Sequence, residues 1–302
     1  MVDSTLSGML NLATNMAVEA ASISLAGFGK AAAQRKPDDS VVTETDYAVQ
    51  THIVRRITEA FPDHAIVAEE APKRASDHGD PTRARYVWVV DPLDATRNYA
   101  AGLSCFATSI AVLDKNVPQD PSEPRASARA ESRNSGFETY SKAAPVVGVV
   151  YEHNLRHLYT AVLGQGAEMN GQPMRVVEPP SGHDHLIGFP SSKDELTVQV
   201  VRRWVGTKGL ILRNLGAATL HLAMVASGAL EAAYTKQSKI WDVAAGALMV
   251  REAGGRITDP FGADLLPFDL STDPNRDIPF LAGGPTMHDR LLQSFRDTPK
   301  PG

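Results

Sequence analysis

The stretch WVVDPLDATRNY, residues 88–99, joins an apolar run to a polar segment that carries two carboxylates. The run from Val87 to Val90 has the length and composition of a buried strand, and it stops at Asp91. Asp94 follows three positions later, where a tight turn or a helix begins. An aspartate at a strand end is commonly a turn residue or a helix cap. Carboxylates this close repel each other unless a cation lies between them, so a metal site is the second interpretation.

The residues after Asp94 favour the metal site. Ala95 and Thr96 come at the start of a turn or helix, where backbone N–H groups have no partner within the helix. Such N–H groups attract anions. The segment therefore offers carboxylates for cations and amides for an anion within a few residues, which is the combination that a metal–phosphate site needs.

Acidic residues also follow a second apolar run and begin a helical pattern. Glu69 and Glu70 follow the run AIVA, and Asp242 begins an alanine-rich helical pattern. If AIVA and the strand before Asp91 lie side by side, their carboxyl ends meet, and alternation along a strand lets at most one glutamate face Asp91. A solvated glutamate pair and an N-cap aspartate are the alternatives. Oxygen ligands of this kind select Mg²⁺ or Mn²⁺ over zinc.

Composition limits the class of protein. The chain has 302 residues, a net charge of −5 and a pI of about 6.0, whereas nucleic-acid binding normally calls for a basic face. Cys105 is the single cysteine, which excludes an intrachain disulfide and favours a reducing compartment. No apolar stretch approaches the roughly 18 residues of a membrane span. We therefore expect a cytoplasmic protein without a nucleic-acid polymer or a membrane as partner.

Hydrophobic periodicity divides the chain into two parts. Helical spacing predicts helices over 5–34, 46–60, 194–205, 217–227, 241–253 and 285–296. Strand follows strand in residues 1–180, which favours an antiparallel sheet, whereas strands and helices alternate in residues 181–302. We predict an N-terminal α+β part and a smaller C-terminal α/β part that share one active site.

Residues 114–144 differ in composition from the rest of the chain. They are rich in proline, serine, arginine and glutamate and nearly free of aliphatic side chains. Such a segment buries too little apolar surface to order itself. We predict a long and mobile surface insertion.

Taken together, these motifs resemble the inositol monophosphatase family of Mg²⁺-dependent, lithium-sensitive phosphatases. DPLDATRNY is similar to the family motif DPxDGTxNF, WDVAAGALMVREAGG is similar to WDxAAGxxxxxEAGG, and AEE is similar to GEE. KPDDSVVTETD resembles the family's lysine loop and VTxxD segment, and GQGAEMNGQPMRV resembles its G-x-G-A-x-x-N-G hairpin. Apart from the insertion, the resemblance covers residues 30–285.

The resemblance implies a fold and a set of metal ligands. The fold would be an αβαβα layered sandwich of the sugar-phosphatase type, with a mixed antiparallel N-terminal sheet, and the chain would form a homodimer. Each site would hold two or three Mg²⁺ ions, with Mn²⁺ as an alternative. Glu69 would bind the first ion, Asp91 would bridge two ions, and the Leu93 carbonyl would complete the first site. Asp94 and Asp242 would hold the second ion.

The resemblance also assigns residues to the phosphate and to the attacking water. Ala95 and Thr96 would present backbone N–H groups to the phosphate. The Thr96 hydroxyl and Asp46 would orient the water, and Glu70 would lie just behind this group. Lys36 would lie on a mobile loop near a weaker third metal site, close to Asp46.

The chain departs from the family pattern at two of these positions. Ala95 replaces the motif glycine, and an alanine keeps the N–H group but is strained if its φ is positive. Thr235, seven positions before Asp242, stands where inositol-type members often have an acidic residue, which makes it a candidate for substrate specificity.

The resemblance implies a phosphomonoesterase that acts on a small phosphorylated metabolite, with an inositol monophosphate as the leading substrate. Histidinol phosphate, a 3′(2′),5′-bisphosphate nucleotide and fructose 1,6-bisphosphate are the alternatives. A catalytically silent phosphate-binding relative is the rival class of function. The presence of Glu69, Asp91, Asp94, Thr96 and Asp242 together favours the enzyme.

Overall fold

The computed structural model describes residues 4–37, 40–70, 78–117, 141–178, 183–192 and 194–297. The helices are α1 (Ser4–Gly27), α2 (Glu44–Ala60), α3 (Thr96–Ala100), α4 (Glu195–Val205), α5 (Ala218–Ala226), α6 (Ile240–Glu252) and α7 (Pro285–Arg296). The strands of the first half are β1 (Gln34–Arg35), β2 (Val41–Val42), β3 (Ala65–Ala68), β4 (Tyr86–Asp94), β5 (Ala107–Asp114), β6 (Lys142–Glu152), β7 (His157–Val162), β8 (Gly166–Met169) and β9 (Gln172–Pro173). Those of the second half are β10 (His185–Gly188), β11 (Leu210–Arg213), β12 (Ala232–Thr235), β13 (Arg256–Thr258), β14 (Phe268–Asp269) and β15 (Phe280–Gly283).

The larger sheet has the order β3-β4-β5-β6-β7-β8-β9. Strands β3 and β4 run parallel, and every later neighbour in this order is antiparallel. The parallel pair confirms that the AIVA strand lies beside the strand that carries Asp91, with the carboxyl ends of both at one edge. The predicted mixed, mostly antiparallel N-terminal sheet is also confirmed.

Both faces of the larger sheet are covered by helices. Trp88 and Val90 of β4 pack in one apolar cluster with residues of α1 and α2, whereas Val87 and Val89 pack in another with residues of α5 and α6. Alternate residues of a strand point to opposite faces, so a strand buried on both sides has a continuous apolar run. This explains why the run before Asp91 shows no alternation.

A second sheet completes the layers. Its order is β11-β10-β12-β15-β13, with β10, β11 and β12 parallel to one another. Tyr234 and Leu281 point to α4 and α7, and Ala233 and Ala282 point to the cluster that contains α5 and α6. The layers are therefore helices, sheet, helices, sheet and helices, which confirms the αβαβα sandwich. Among the described residues, no helix has the length and apolar character needed to cross a bilayer.

Helix α6 lies in the central layer, in close contact with β6 of the larger sheet and with helix α5. A Cβ atom at Gly148 of β6 would lie 2.9 Å from the backbone oxygen of Ala245, and one at Gly246 would lie 2.4 Å from the Cβ of Leu222 on α5. Small residues at these contacts let the backbones approach, which explains the alanine and glycine content of the segment after Asp242. Close packing on both sides fixes where the first turn of α6 lies.

The helix predicted over 5–34 is too long. Helix α1 ends at Gly27, and Gly29 has a φ of +73°, a left-handed conformation that commonly ends a helix. Residues Gln34–Arg35 belong to β1, which pairs with β2 in a short antiparallel ribbon. The periodicity of alanine continues past the glycines, and this misled the prediction.

The predicted insertion and the domain division have different outcomes. Residues 118–140 of the insertion lie outside the described residues, but its predicted edges are wrong, because Asp114 ends β5 and Lys142 begins β6. The start of β6 pairs with β14, more than a hundred residues away in sequence, a contact that local composition does not reveal. The division between residues 180 and 181 also falls outside the described residues and stays a prediction.

The tight packing of α6 predicts opposite effects for one substitution at two helix glycines. Gly246→Ala should lower the free energy of unfolding by about 1–3 kcal/mol, because its Cβ would overlap Leu222. Gly8→Ala should raise it by about 0.5–1 kcal/mol, because a Cβ at this exposed position of α1 meets nothing within 4 Å and alanine favours the helix. Urea denaturation measures both; equal effects would contradict the packing.

Candidate active site

A bulge in β4 places Asp91 and Asp94 in one cluster. Asp91 is opposite Ser109 on β5 and Asp94 is opposite Ala107, so three steps along β4 match two steps along β5. Side chains three residues apart on a regular strand point to opposite faces, and one extra residue removes this difference. The prediction that the strand ends at Asp91 is therefore wrong: β4 continues through Pro92 to Asp94.

The bulge itself is held by two hydrogen bonds between side chains and the backbone. The Thr108 hydroxyl on β5 donates to the Pro92 carbonyl oxygen at 2.8 Å, and the Leu93 N–H donates to Asp91 Oδ1 at 3.0 Å. Proline has no N–H for the ladder, so within a sheet it is confined to edges and irregularities such as this one. The end of the apolar run at Asp91 suggested the end of the strand, but the actual feature is an irregular strand.

Carboxylates from three elements meet at this bulge. Oxygen atoms of Asp91, Asp94 and Asp242 lie within 4.8 Å of one another. Asp91 also lies beside Glu69 at the end of β3 and beside Asp242 at the start of α6. The bulge therefore brings carboxylates of β4, of α6 and of the residue after β3 into one cluster.

Burial and mutual repulsion oppose ionisation of the cluster. Burial raises the pKa of Asp94 to about 6, and burial with the nearby charge of Asp94 raises that of Asp242 to about 8. Burial and then the charges of Glu69, Asp94 and Asp242 raise the pKa of Asp91 well above its usual range. Every potential metal-ligand atom in the cluster is a carboxylate oxygen, so the residues fit a hard divalent cation such as Mg²⁺ or Mn²⁺.

Helix N-termini hold two of the acidic side chains. Asp46 accepts hydrogen bonds from the Thr43 N–H at 2.8 Å and from the Thr43 hydroxyl at 2.6 Å, and Asp242 accepts one from the Lys239 N–H at 2.7 Å. The N-cap residues are Thr43 and Lys239, so neither Asp46 nor Asp242 is the N-cap itself. Both are the third residue of their helices, where the helix dipole stabilises negative charge.

The structure brings together Asp46, Thr96 and Leu93. The Thr96 hydroxyl oxygen lies 2.8 Å from Asp46 Oδ1 and 3.0 Å from the Leu93 carbonyl oxygen. The hydroxyl has one proton, so it donates to one of these acceptors at a time. All three residues are buried, and the Thr96 hydroxyl therefore links the end of β4 to α2.

Glu69 and Glu70 lie beyond the end of β3 and share a lysine. Lys36 Nζ lies 3.2 Å from Glu69 Oε1 and 2.5 Å from Glu70 Oε1. Burial raises the pKa of Glu70 to about 7 although the Lys36 ammonium opposes the rise. Of the two, Glu69 is the one beside Asp91. Gln50, one turn after Asp46 on α2, holds the Glu70 backbone with hydrogen bonds of 2.7 and 2.9 Å.

Ala95 has a left-handed backbone conformation, with φ +67° and ψ +45°. This conformation costs an alanine about 1–2 kcal/mol, because its Cβ crowds the backbone. Alanine would replace the motif glycine without strain only at a negative φ, so Ala95 is strained here.

Sequence reasoning missed three residues that hold the site. They are Gln50, Thr219, whose N–H and hydroxyl both bond Asp94, and Asn98, whose Nδ2 donates to the carbonyl oxygens of Cys105 and Leu215 at 2.8 and 2.7 Å. The partners of Gln50 and Thr219 lie 20 and 125 residues away, so no local pattern identifies them. Thr235, the specificity candidate, is buried at the end of β12.

Comparison with known proteins agrees with this architecture. The model of the inositol monophosphatase family matches residues 5–119 and 139–299. The chain belongs to the inositol monophosphatase family. The family model thus spans every motif on which the resemblance rested and most of the chain outside the insertion.

Relatives of the chain have more than one kind of name. "Inositol monophosphatase 1" of Solanum lycopersicum is 30% identical over 278 residues, which cover 89% of each chain. "Nus factor SuhB" of Pseudomonas aeruginosa is 33% identical over 266 residues, which cover 84% of this chain and 86% of the relative. The crystal structure of the extragenic suppressor protein suhB from Bartonella henselae is 25% identical, covers 97% of this chain and 100% of its own, and superposes with a TM-score of 0.77. These likenesses support a phosphatase-like function without fixing its substrate.

The conformation of Ala95 predicts that Ala95→Gly stabilises the fold. Glycine adopts a φ of +67° without steric cost, so the free energy of unfolding should rise by up to about 1 kcal/mol in urea denaturation. Ala101→Gly is the matched control, because Ala101 caps the other end of the same helix with a φ of −82°, so glycine relieves no strain there and should not raise the free energy of unfolding. Destabilisation by both changes would contradict strain at Ala95.

The raised pKa values of Asp94 and Asp242 predict a fall in stability with pH in metal-free protein. Each carboxyl binds its proton more tightly when folded, so its contribution is complete below the usual aspartate pKa of about 3.9 and is lost as pH rises through the folded values of about 6 and 8. Mg²⁺ replaces the proton and should stabilise most at the higher pH.

Thermal unfolding with EDTA or with MgCl₂, across a pH range of about 5 to 8.5, measures this effect. The melting temperature in EDTA should fall over this range, and the increase caused by Mg²⁺ should be larger at the alkaline end. An increase of equal size at both ends would contradict competition between protons and the cation.

Proposed function

We propose that this protein is a Mg²⁺-dependent phosphomonoesterase that hydrolyses a small phosphorylated metabolite. The cluster of Glu69, Asp91, Asp94 and Asp242, in which Asp91 and Asp94 are buried and the other two are half-buried, carries the proposal. Four carboxylates that repel each other in one place need cations between them, and family membership supports Mg²⁺ as the cation, with Mn²⁺ as the alternative. In this proposal Glu69 and the Leu93 carbonyl hold the first ion, Asp91 bridges, and Asp94 and Asp242 hold the second.

Bound divalent ions would activate a water molecule and neutralise charge on the phosphate and on the leaving oxygen. The chain's own groups would then orient the reactants. The Thr96 hydroxyl, held by Asp46, lies where it can hold the water, and its backbone N–H and that of Ala95 are the proposed donors to the phosphate. Glu70 and Lys36 flank the cluster, and a third, weaker ion near Asp46 and Lys36 remains part of the proposal.

An inositol monophosphate is the leading substrate in this proposal. Support comes from the family and from the relative of Solanum lycopersicum that is named "Inositol monophosphatase 1". Thr235 lacks the carboxylate that would accept hydrogen bonds from several hydroxyl groups. Histidinol phosphate, a 3′(2′),5′-bisphosphate nucleotide and fructose 1,6-bisphosphate therefore remain alternative substrates. Lithium sensitivity, a homodimer and a cytoplasmic location are further parts of the proposal.

A catalytically silent relative is the rival proposal. Several relatives carry the name "Nus factor SuhB", which names no enzymatic activity. Completeness of the carboxylate set argues for catalysis, since a protein that only bound a phosphorylated ligand would have no need for four clustered acids. The two proposals differ in whether phosphate is released.

Asp91→Asn should reduce Mg²⁺-dependent phosphate release by more than about 100-fold, because it removes the bridging charge on which the ions depend. The fold should persist, since Asp91 is repelled by its neighbours. Colorimetric phosphate release from inositol 1-phosphate, histidinol phosphate, adenosine 3′,5′-bisphosphate and fructose 1,6-bisphosphate measures activity, and thermal unfolding reports the fold.

Asp63→Asn is the matched control, since Asp63 is exposed in the connection from α2 to β3 and should keep full activity. Full activity of Asp91→Asn would contradict the metal-bridging role. A wild-type protein that binds Mg²⁺ but releases phosphate from no member of the panel would favour the silent relative.

A further inference from the structure

Asp94 is bonded to a helix that lies far away in sequence. The Thr219 N–H donates to Asp94 Oδ2 at 3.0 Å, and the Thr219 hydroxyl donates to the same oxygen. The Ala218 N–H also bonds the Asp94 carboxylate. All three donors lie in the first turn of α5, and Thr219 is fully buried. Asp94 thus lies on β4 but is bonded by donors of the central helical layer.

Asp94 provides the cap that α5 lacks in its own sequence. The N-cap residue of α5 is Ala217, which has no side-chain acceptor for the free N–H groups of the first turn. A carboxylate at this place accepts those hydrogen bonds and lies at the positive end of the helix dipole. The same side chain therefore belongs to the acidic cluster and to the start of α5.

We propose that Thr219 is a positioning residue that fixes the orientation of the Asp94 carboxylate for cation binding. This inference rests on the proposed function, in which Asp94 is a metal ligand. Two donors on one oxygen fix the rotation of the carboxylate about its last side-chain bond. A ligand held in this way loses less conformational freedom when a cation binds, and partners of this kind commonly contribute about 10–100-fold to metal affinity.

The hydroxyl is the part of Thr219 that a substitution can remove selectively. The backbone N–H groups of Ala218 and Thr219 persist in any variant that keeps α5. The hydroxyl is buried, so water does not take its place without rearrangement. Loss of the hydroxyl should therefore act on Asp94 and leave the rest of the cluster in place.

Thr219→Val tests the inference, because valine has the shape of threonine without the hydroxyl. Mg²⁺ binding to the full chain, measured by titration calorimetry, should weaken by about 10–100-fold, and half-maximal activity should need correspondingly more Mg²⁺. Turnover at saturating Mg²⁺ should stay within a few-fold of the wild type. Thr219→Ser keeps the hydroxyl and should bind Mg²⁺ with the affinity of the wild type. Thr219→Ala removes the hydroxyl together with the methyl group, introduces no new group that could clash, and so covers poor folding of the valine variant.

Thr197→Val is the matched control. Thr197 is also a buried threonine in the first turn of a helix, α4, and its hydroxyl bonds the Tyr234 hydroxyl at 2.9 Å and the carboxylate of Asp194, which is not one of the proposed metal ligands. This variant should lower the melting temperature and leave the affinity for Mg²⁺ unchanged. A fall in affinity there would show that any loss of a buried hydroxyl acts through stability.

The outcomes separate this inference from the proposed function. Wild-type affinity in Thr219→Val and Thr219→Ala, or a weakening in Thr219→Ser as large as in Thr219→Val, would overturn the role of the hydroxyl alone. A wild-type protein that binds no Mg²⁺ would overturn the proposed function and this inference with it.

Discussion

Repulsion among four clustered carboxylates is the constraint on which the site depends. Glu69, Asp91, Asp94 and Asp242 are close enough to raise one another's pKa values, and burial raises them further. Two sources of positive charge oppose this repulsion. The N-termini of helices supply partial positive charge, since Asp94 caps α5 and Asp242 lies in the first turn of α6. Lys36 supplies one full charge. These sources reduce the repulsion but leave raised pKa values, so the remaining imbalance favours a divalent cation.

The layered fold explains how these groups reach one place. Strands β3 and β4 end at the same edge because they are parallel, and the bulge between Asp91 and Asp94 brings both aspartates into the cluster. Helix α6 enters from the central layer, where Gly148 and Gly246 allow close packing and so fix the position of Asp242. The cluster therefore depends on contacts between layers, whereas the sequence motifs contain only the residues at the ends of the elements that meet.

Much of this could be predicted from the sequence, and the limits have physical causes. Strand pairing and the acidic edge followed from the apolar runs, since each run stops at a carboxylate. The bulge could not be predicted, because Pro92 is compatible with both a strand end and an irregular strand. Gln50 and Thr219 could not be identified either, since an amide or a hydroxyl has no pattern of its own and the partners lie far away in sequence. The end of α1 was missed although Gly29 was visible, because the alanine periodicity continued past it.

The strain at Ala95 follows from the residues on either side of it. Asp94 is held by the first turn of α5, and Thr96 is held by Asp46 on α2, so the backbone between them must pass from a strand into a helix within one residue. A left-handed residue makes this change of direction, and hydrogen bonds on both sides maintain it against a cost of about 1–2 kcal/mol for alanine. The strained residue is thus a consequence of joining two helical layers at a single acidic turn.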